Sequence, residues 1–265
     1  MALSGWRSGW MRNNFPFLIL LALLLSGCAE DKPSPMPSSE VTIVTMIGAI
    51  HGQHRRSDIY SLEVLRKAIV QFEPDIIMVE LPPDRFETAS ANFDQYGEVR
   101  ESRADDFPEL IDVVFPLRAD MGFEMVPVAA WTQEIAEDRR RIVKRLESDP
   151  VRAQDWFAYQ AAIRAYNRAV SGKSDDPRFI HSRAYDAAVK DRQETYQRLF
   201  GDDLGAGGWQ AINAAHLAQI HAGLDKIKGQ KKRVLILFGA WHKYPILEGL
   251  EARPDIFLVD PISLF

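Results

Sequence analysis

Cysteine is nearly absent from this chain, since Cys28 is the only one among 265 residues. A single thiol excludes any disulfide within the chain. Cys28 stands at the end of a continuous apolar run, Phe17 to Leu25, which follows Arg7 and Arg12. The run is too short to span a bilayer as a helix, and its basic start and apolar centre are typical of a secretion signal.

A basic surface is lacking as well. The formal charge is −5, and removal of residues 1 to 27 takes away two arginines and no acid, so that the remaining chain carries −7. An acidic chain without a basic stripe is not expected to bind nucleic acid or to attach electrostatically to anionic lipid. The sequence also contains no Gly-rich phosphate loop, no Gly-x-Ser-x-Gly and no His-Glu-x-x-His. Hydrolase classes that depend on those motifs are therefore excluded.

The single cysteine has a specific interpretation. Leu25 to Cys28, "LSGC", resembles a bacterial lipoprotein lipobox, in which cleavage before Cys28 leaves that residue as the lipidated first residue. The alternative is a plain signal peptide with a chance cysteine. Ala29 favours the outer membrane, facing the periplasm, in a Gram-negative cell. We expect a signal peptide at 1–27, the lipidated cysteine and a flexible Pro- and Ser-rich tether at 28–40, and a single domain at 41–265.

Short apolar runs alternate with helical patterns in much of the remaining chain. Such runs are typical of strands buried on both faces of a parallel sheet, and the short links imply right-handed crossovers. We predict an α/β fold with a parallel, or mixed, central sheet flanked by helices. Residues 132–230 lose the strand pattern but keep a helical periodicity, which predicts a large helical insertion or cap. The predicted strands lie at residues 41–47, 76–81, 124–129, 233–238 and 255–260.

One short motif occurs twice, each time at the end of an apolar run. Gly48-Ala49-Ile50-His51 follows the first predicted strand, and Gly239-Ala240-Trp241-His242 follows the fourth. Because both loops leave the same edge of a parallel sheet, where ligands bind in open α/β folds, we expect His51 and His242 to lie together. Glu80 ends the second strand and belongs to the same edge.

Two imidazoles and a carboxylate suit a divalent metal ion with open positions for water and substrate. They also suit metal-free chemistry, with a histidine as general base and Glu80 orienting it to activate water against a carbonyl. Arg85, five residues past Glu80, is a candidate to fix that carboxylate or to hold an anionic substrate group. The structural alternative is that each histidine binds backbone and Glu80 simply pairs with Arg85.

Other residues are weaker candidates. His54 lies in the same loop as His51 and either joins the site or faces water. Trp241 lies between Gly239 and His242 and is expected to border the site. His216 and His221 are five residues apart on a predicted helix and point to different faces, so they are predicted to be ordinary core or surface residues.

Three of these motifs together carry a family resemblance. "GAIH" followed by a helix, "PDIIMVEL" with an arginine five residues after its glutamate, and "VLILFGAWH" resemble the TraB/PrgY/GumN group, which includes the TIKI proteases. The wider group is similar to the erythromycin-esterase and ChaN-like fold. The resemblance covers residues 41–130 and 233–260 and is weak through the helical middle.

The resemblance implies a metal-dependent hydrolase, or a peptidase, acting on a small-molecule or peptide substrate. It assigns the centre to His51, Glu80 and His242, with Arg85 beside them, and it suggests Asn213 on a later helix as a further polar group. Similar proteins often carry an acid just after the third strand, where this chain has Ala130-Trp131. The ChaN-like resemblance implies a different possibility, a lipoprotein that binds haem or another ligand through one of the same histidines without catalysis.

Overall fold

The computed structural model describes residues 41–102 and 104–265, and the predicted leader, tether and Cys28 lie outside them. A central sheet of five strands, all parallel, has the strand order β3-β2-β4-β1-β5. This confirms the predicted α/β fold and its parallel sheet. The strands are β1 (Thr42–Ala49), β2 (Ile76–Val79), β3 (Glu124–Pro127), β4 (Arg233–Gly239) and β5 (Ile256–Val259).

The sheet is covered on both faces, which explains why its central strands are apolar at nearly every position. Side chains of β1, β2 and β4 alternate between two apolar clusters, with Ile47, Ile77 and Leu237 in one and Met46 and Ile236 in the other. Pro127 lies in β3, an edge strand, where a residue without an amide hydrogen does not break a central ladder.

Helix α1, which follows the loop of the first Gly-x-x-His motif, has a side-chain cap at its start and a left-handed residue at its end. Helix α1 starts where the hydroxyl of Ser61 accepts a hydrogen bond from the amide of Val64, and it buries Leu65, Ala68, Ile69 and Phe72. It ends at Glu73, whose φ of 51° is left-handed. The helices that precede the insertion are α1 (Leu62–Phe72), α2 (Pro83–Tyr96) and α3 (Phe115–Met121), with a π-helical turn at Glu109–Val114 before α3.

The middle of the chain is helical, as predicted for the insertion. Its helices are α4 (Gln133–Ser148), α5 (Ala153–Val170), α6 (Pro177–Ile180), α7 (Arg183–Leu204) and α8 (Trp209–Lys226), and α9 (Lys243–Leu250) follows β4. The insertion has an apolar cluster of its own, which includes Leu146, Tyr159 and Phe200. Within the described ranges, no helix combines the length and hydropathy needed to cross a membrane.

Candidate functional site

The two Gly-x-x-His motifs lie side by side at the carboxyl edge of the sheet. Strands β1 and β4 are neighbours, and their pairing places Ala49 opposite Gly239. Strand β2 lies on the other side of β4 and ends one residue before Glu80. The structure therefore brings His51, Glu80 and His242 to adjoining positions on three consecutive strands, where the carboxyl edge of an open parallel sheet commonly binds ligands.

His51 is held in one orientation by a buried acid. Its Nδ1 atom lies 2.7 Å from Oε1 of Glu109, whose side chain is 3 % exposed, and its ring packs edge-on against Phe107. The carboxylate accepts the Nδ1 proton and so fixes the orientation of the ring, with Nε2 on the opposite side. The φ of His51 is 48°, a left-handed conformation that costs a non-glycine residue about 1–3 kcal/mol. The loop keeps this strained conformation at the position from which the ring reaches the site.

His242 is oriented by an amide. Its Nδ1 atom lies 2.7 Å from Oδ1 of Asn213 on α8, and Nδ2 of Asn213 donates to the carbonyl of Trp209. The bond to the carbonyl fixes which end of the amide faces His242, so Nδ1 carries the proton and Nε2 carries the lone pair. The indole of Trp209 stacks on the imidazole with ring centroids 4.9 Å apart.

Glu80 and Gly239 lie between the two imidazoles. Oε2 of Glu80 accepts a 2.6 Å hydrogen bond from the amide of Gly239, and Oε1 lies 3.9 Å from Nε2 of His242. A Cβ atom on residue 239 would lie 2.5 Å from Nε2 of His51 and 3.3 Å from Oε2 of Glu80. The Nε2 atoms of both histidines are thus directed to the neighbourhood of one buried carboxylate.

His216 is a site neighbour that the sequence prediction treated as ordinary. It is fully buried, its Nδ1 accepts a hydrogen bond from the amide of Ala130, and its ring centroid lies 5.1 Å from that of His242. The amide of Ala130 is therefore bound by His216 at the position where an acid was expected from the resemblance. Burial lowers the pKa of His216 to about 4, so this ring is neutral at pH 7.

Burial also sets the protonation state of His242. It lowers the pKa of His242 well below the usual range, and the nearby rings of His216 and His51 and the charge of Arg139 act in the same direction. A neutral imidazole with a free Nε2 lone pair accepts a proton or binds a metal ion. His242 is in that state at neutral pH.

Two further candidates, His54 and Trp241, lie in different surroundings. Both ring nitrogens of His54 bind backbone, since Nε2 accepts from the amide of Ile50 and Nδ1 lies 2.8 Å from the carbonyl of Tyr60. His54 therefore braces the loop that carries His51 and has no nitrogen left for a ligand. Trp241 borders the site and donates from Nε1 to the hydroxyl of Tyr166.

Arg85 points away from Glu80. Its nitrogens face Gln133, Asp84 and Glu101, at 2.9, 3.4 and 3.6 Å respectively. None of its hydrogen bonds or ion pairs within the described residues reaches Glu80. The reason is that Pro82-Pro83 ends the strand segment and starts α2, which carries Arg85 onto the first turn of a helix.

A pocket of about 530 Å³ opens beside the histidines. It is lined by His51, Gly239 and His242 from the sheet edge and by Tyr166 and Val170 from α5. The helical insertion therefore supplies one wall of the pocket, and the sheet edge supplies the reactive groups. A volume of this size accommodates a small substrate or a short stretch of peptide.

The metal implied by the resemblance can be compared with the groups present. Two imidazole nitrogens and a carboxylate are suitable donors for zinc-like ions, and the contacts of Nδ1 with Glu109 and Asn213 are of the kind that orients metal-bound histidines. Across residues 41–102 and 104–265, however, no group of three or more His, Cys, Asp or Glu side chains has the arrangement of a metal site. The donor types nevertheless suit a metal ion.

The chain has no significant match to a protein-family model, to a curated protein or to a solved structure. The similarity of its motifs to the TraB/PrgY/GumN group remains an expectation from the sequence. What the site does is therefore inferred from its own geometry and chemistry.

Proposed function

We propose that this protein is a hydrolase that adds water to the carbonyl of an ester, amide or peptide bond at His51, Glu80 and His242. The observation that carries the proposal is the matched orientation of the two histidines. Each has Nδ1 bound by a side-chain oxygen, and each directs Nε2 toward the region of Glu80. An isolated structural histidine has no need of such a paired arrangement.

The reaction follows from these groups. Nε2 of His242 takes a proton from water, and the hydroxide oxygen bonds to the carbonyl carbon of the substrate. The imidazolium that forms lies next to Glu80, whose carboxylate at 3.9 Å stabilises the positive charge. The same proton then passes to the leaving oxygen or nitrogen as the scissile bond breaks, which returns His242 to its neutral form. His51, on the other side of Gly239, is placed to help position the water.

The resemblance extends this proposal to a divalent metal ion, held by His51, Glu80 and His242. Such an ion supplies Lewis-acid activation of water when bound. The ion would use Nε2 of His242 as a ligand, which is the atom that takes the proton in the metal-free reaction. The metal content of the active protein therefore distinguishes a metal-dependent hydrolase from a metal-free one. Anchoring to the outer membrane through Cys28 is proposed on the lipobox-like "LSGC" alone.

The test measures hydrolysis of a chromogenic ester, an anilide and an unfolded protein by the purified chain. His51→Ala and His242→Ala are each expected to lower the rate about 100-fold or more. His221→Ala is the matched control, because His221 lies on α8 and contacts Arg253 outside the site. Metal analysis of each preparation accompanies the assay. Full activity in both site variants would refute the proposal.

Haem binding by the same histidines is the rival outcome of that experiment. A Soret band that appears when haemin is added and is lost in His51→Ala or His242→Ala, with no hydrolysis by the wild type, would favour a binding lipoprotein. Hydrolysis that is lost in both variants, with no Soret band, supports the enzyme.

A further inference from the structure

A second, smaller pocket shares two residues with the candidate site. It has a volume of about 220 Å³, and Trp241 and His242 line both pockets. Apart from Trp131, the rest of its wall comes from the helical insertion, including Arg139 on α4 and Arg192 on α7. This pocket therefore joins the proposed catalytic histidine to a part of the fold that the hydrolase proposal has not used.

Among the described residues, the two arginines of this pocket have no acidic partner. Nη2 of Arg139 donates to the hydroxyl of Tyr196, and Nη2 of Arg192 donates to the hydroxyl of Tyr159, each at 3.2 Å. Neither guanidinium forms an ion pair with the described residues, and no acidic side chain among those residues lines the pocket. The Nε atom of Arg192 is buried without a hydrogen-bond partner there.

Two other partly buried arginines, Arg152 and Arg253, are each paired with acids. Arg152 forms ion pairs with Asp155 and Asp203, and Arg253 forms them with Asp225 and Asp255. Removing a guanidinium from water without a counter-ion is unfavourable, and a buried donor without a partner adds to that cost. Two such groups in one pocket of an acidic protein form a site prepared for an anion from outside.

Aromatic rings hold the guanidinium groups in place. The guanidinium carbon of Arg192 lies 4.2 Å from the centroid of the Trp241 ring, and that of Arg139 lies 5.7 Å from the centroid of Tyr196. Stacking on a ring engages the face of a guanidinium and leaves its donor edge available. The pocket therefore offers flat, oriented donors in aromatic surroundings.

These features favour a carboxylate over a phosphate. Phosphate sites commonly use backbone amides at a helix N-terminus, and α8 begins at a residue that lines this pocket, Trp209. There the amide of Gln210 already donates to Oε1 of Gln197. A planar carboxylate matches the fork of a guanidinium and forms paired hydrogen bonds with it.

We propose that the pocket between Arg139 and Arg192 binds a carboxylate group of the substrate, adjacent to the site of hydrolysis at His242. Calling the bound carboxylate part of a substrate rests on the proposed function, whereas the binding of the anion itself does not depend on catalysis. The substrate class is then an ester, amide or peptide that carries a free carboxylate close to the scissile carbonyl.

The test is a calorimetric titration of the purified full chain with benzoate, with benzamide as the neutral match and inorganic phosphate as the other anion. Benzoate is expected to bind more tightly than both, and its affinity is expected to fall as salt is added. Equal binding of benzamide would overturn recognition of charge, and tighter binding of phosphate would overturn the choice of carboxylate. All three titrations use the wild-type chain, so their outcome does not depend on whether a variant folds.

Variants locate the site. Arg139→Gln and Arg192→Gln are each expected to weaken benzoate about tenfold or more. Arg140→Gln and Arg198→Gln remove an exposed arginine from the same two helices and are expected to bind as the wild type does. Unchanged affinity in both pocket variants would overturn the proposal, provided that their thermal unfolding shows them to be folded.

A further titration separates this proposal from the hydrolase. His51→Ala removes a proposed site residue and leaves the arginine pocket intact, so it should bind benzoate as the wild type does. Benzoate binding without any hydrolysis in the wild type would refute the enzyme and keep the anion site. Hydrolysis without benzoate binding would refute the anion site and keep the enzyme.

Discussion

Gly239 and His51 lie so close that a Cβ atom on residue 239 would come within 2.5 Å of Nε2 of His51. The relation has a counterpart in the other motif, because a Cβ atom on Gly48 would lie 3.0 Å from both Cα and Cβ of Ala240. Each Gly-x-x-His motif thus uses its glycine to make room for the other motif. The repeated pattern is explained by the contact between neighbouring strands.

The first prediction is that Gly239→Ala abolishes hydrolysis without unfolding the protein. The φ of Gly239 is −50°, which alanine adopts without strain, so the effect must come from the new methyl group. That group would displace His51 and crowd Glu80. Gly52→Ala is the control, because a Cβ atom there has nothing within 4 Å. Turnover and circular dichroism of both variants provide the check, and an active Gly239→Ala would contradict the geometry of the site.

A second prediction concerns the amide that orients His242. Asn213→Leu removes the acceptor at Nδ1, so the ring is expected to lose its single tautomer and kcat to fall about 10–100-fold. Asn213→Asp keeps an acceptor oxygen and should restore part of the rate. Nitrogen-15 NMR of the imidazole reports the tautomer directly. Gln219→Leu, an exposed change on the same helix, is the control, and an unaltered tautomer in Asn213→Leu would contradict the prediction.

A third prediction is that a substitution at Glu109 lowers activity without lowering stability. Oε1 of this carboxylate holds His51, while Oε2 is buried without a hydrogen-bond partner in the described part of the chain. Glu109→Gln keeps an acceptor for Nδ1 and removes a buried charge. We expect kcat to fall about 10–100-fold and the melting temperature to stay level or rise. Glu87→Gln, at an exposed position, should change neither, and a large loss of stability in Glu109→Gln would contradict this account.

The parts of the fold and site that are encoded by local patterns were predictable. Apolar runs indicated the five strands, and strand-end positions brought His51, Glu80 and His242 to one edge. The partners of these residues were not predictable in the same way. Glu109 lies 58 residues from His51 in a π-helical turn, and no short spacing connects the two positions.

Spacing was of limited use in two places. His216 and His221 were predicted to be ordinary core or surface histidines on different faces, and no spacing within one helix reveals that the packing of α8 places His216 against His242. Arg85, five residues past Glu80, was a candidate either to fix that carboxylate or to hold an anionic substrate group, and the first alternative is wrong. The structure has a helix starting at Pro83, and the first turn of α2 directs Arg85 toward Glu101.

The last prediction concerns stability against pH and rests on two buried histidines. Burial lowers the pKa of His181 to about 3 and that of His216 to about 4, whereas a histidine in the unfolded chain titrates near 6.5. Between about pH 6.5 and 4 the unfolded chain binds protons that the folded protein does not. The free energy of unfolding must therefore fall as the pH falls through this window, by about 1.4 kcal/mol per pH unit for each histidine.

The structure explains why the folded state resists protonation at His181. Nε2 of His181 accepts a 2.9 Å hydrogen bond from the amide of Gly48, and Nδ1 lies 2.6 Å from the carbonyl of Pro177, so a second proton would break the bond to Gly48. Urea unfolding at pH 7, 6 and 5 measures the slope in the wild type and in His181→Gln. The variant loses stability at every pH because it loses these bonds, but its slope should be shallower by about one proton. Parallel slopes would mean that His181 takes up its proton in the folded protein as readily as in the unfolded chain.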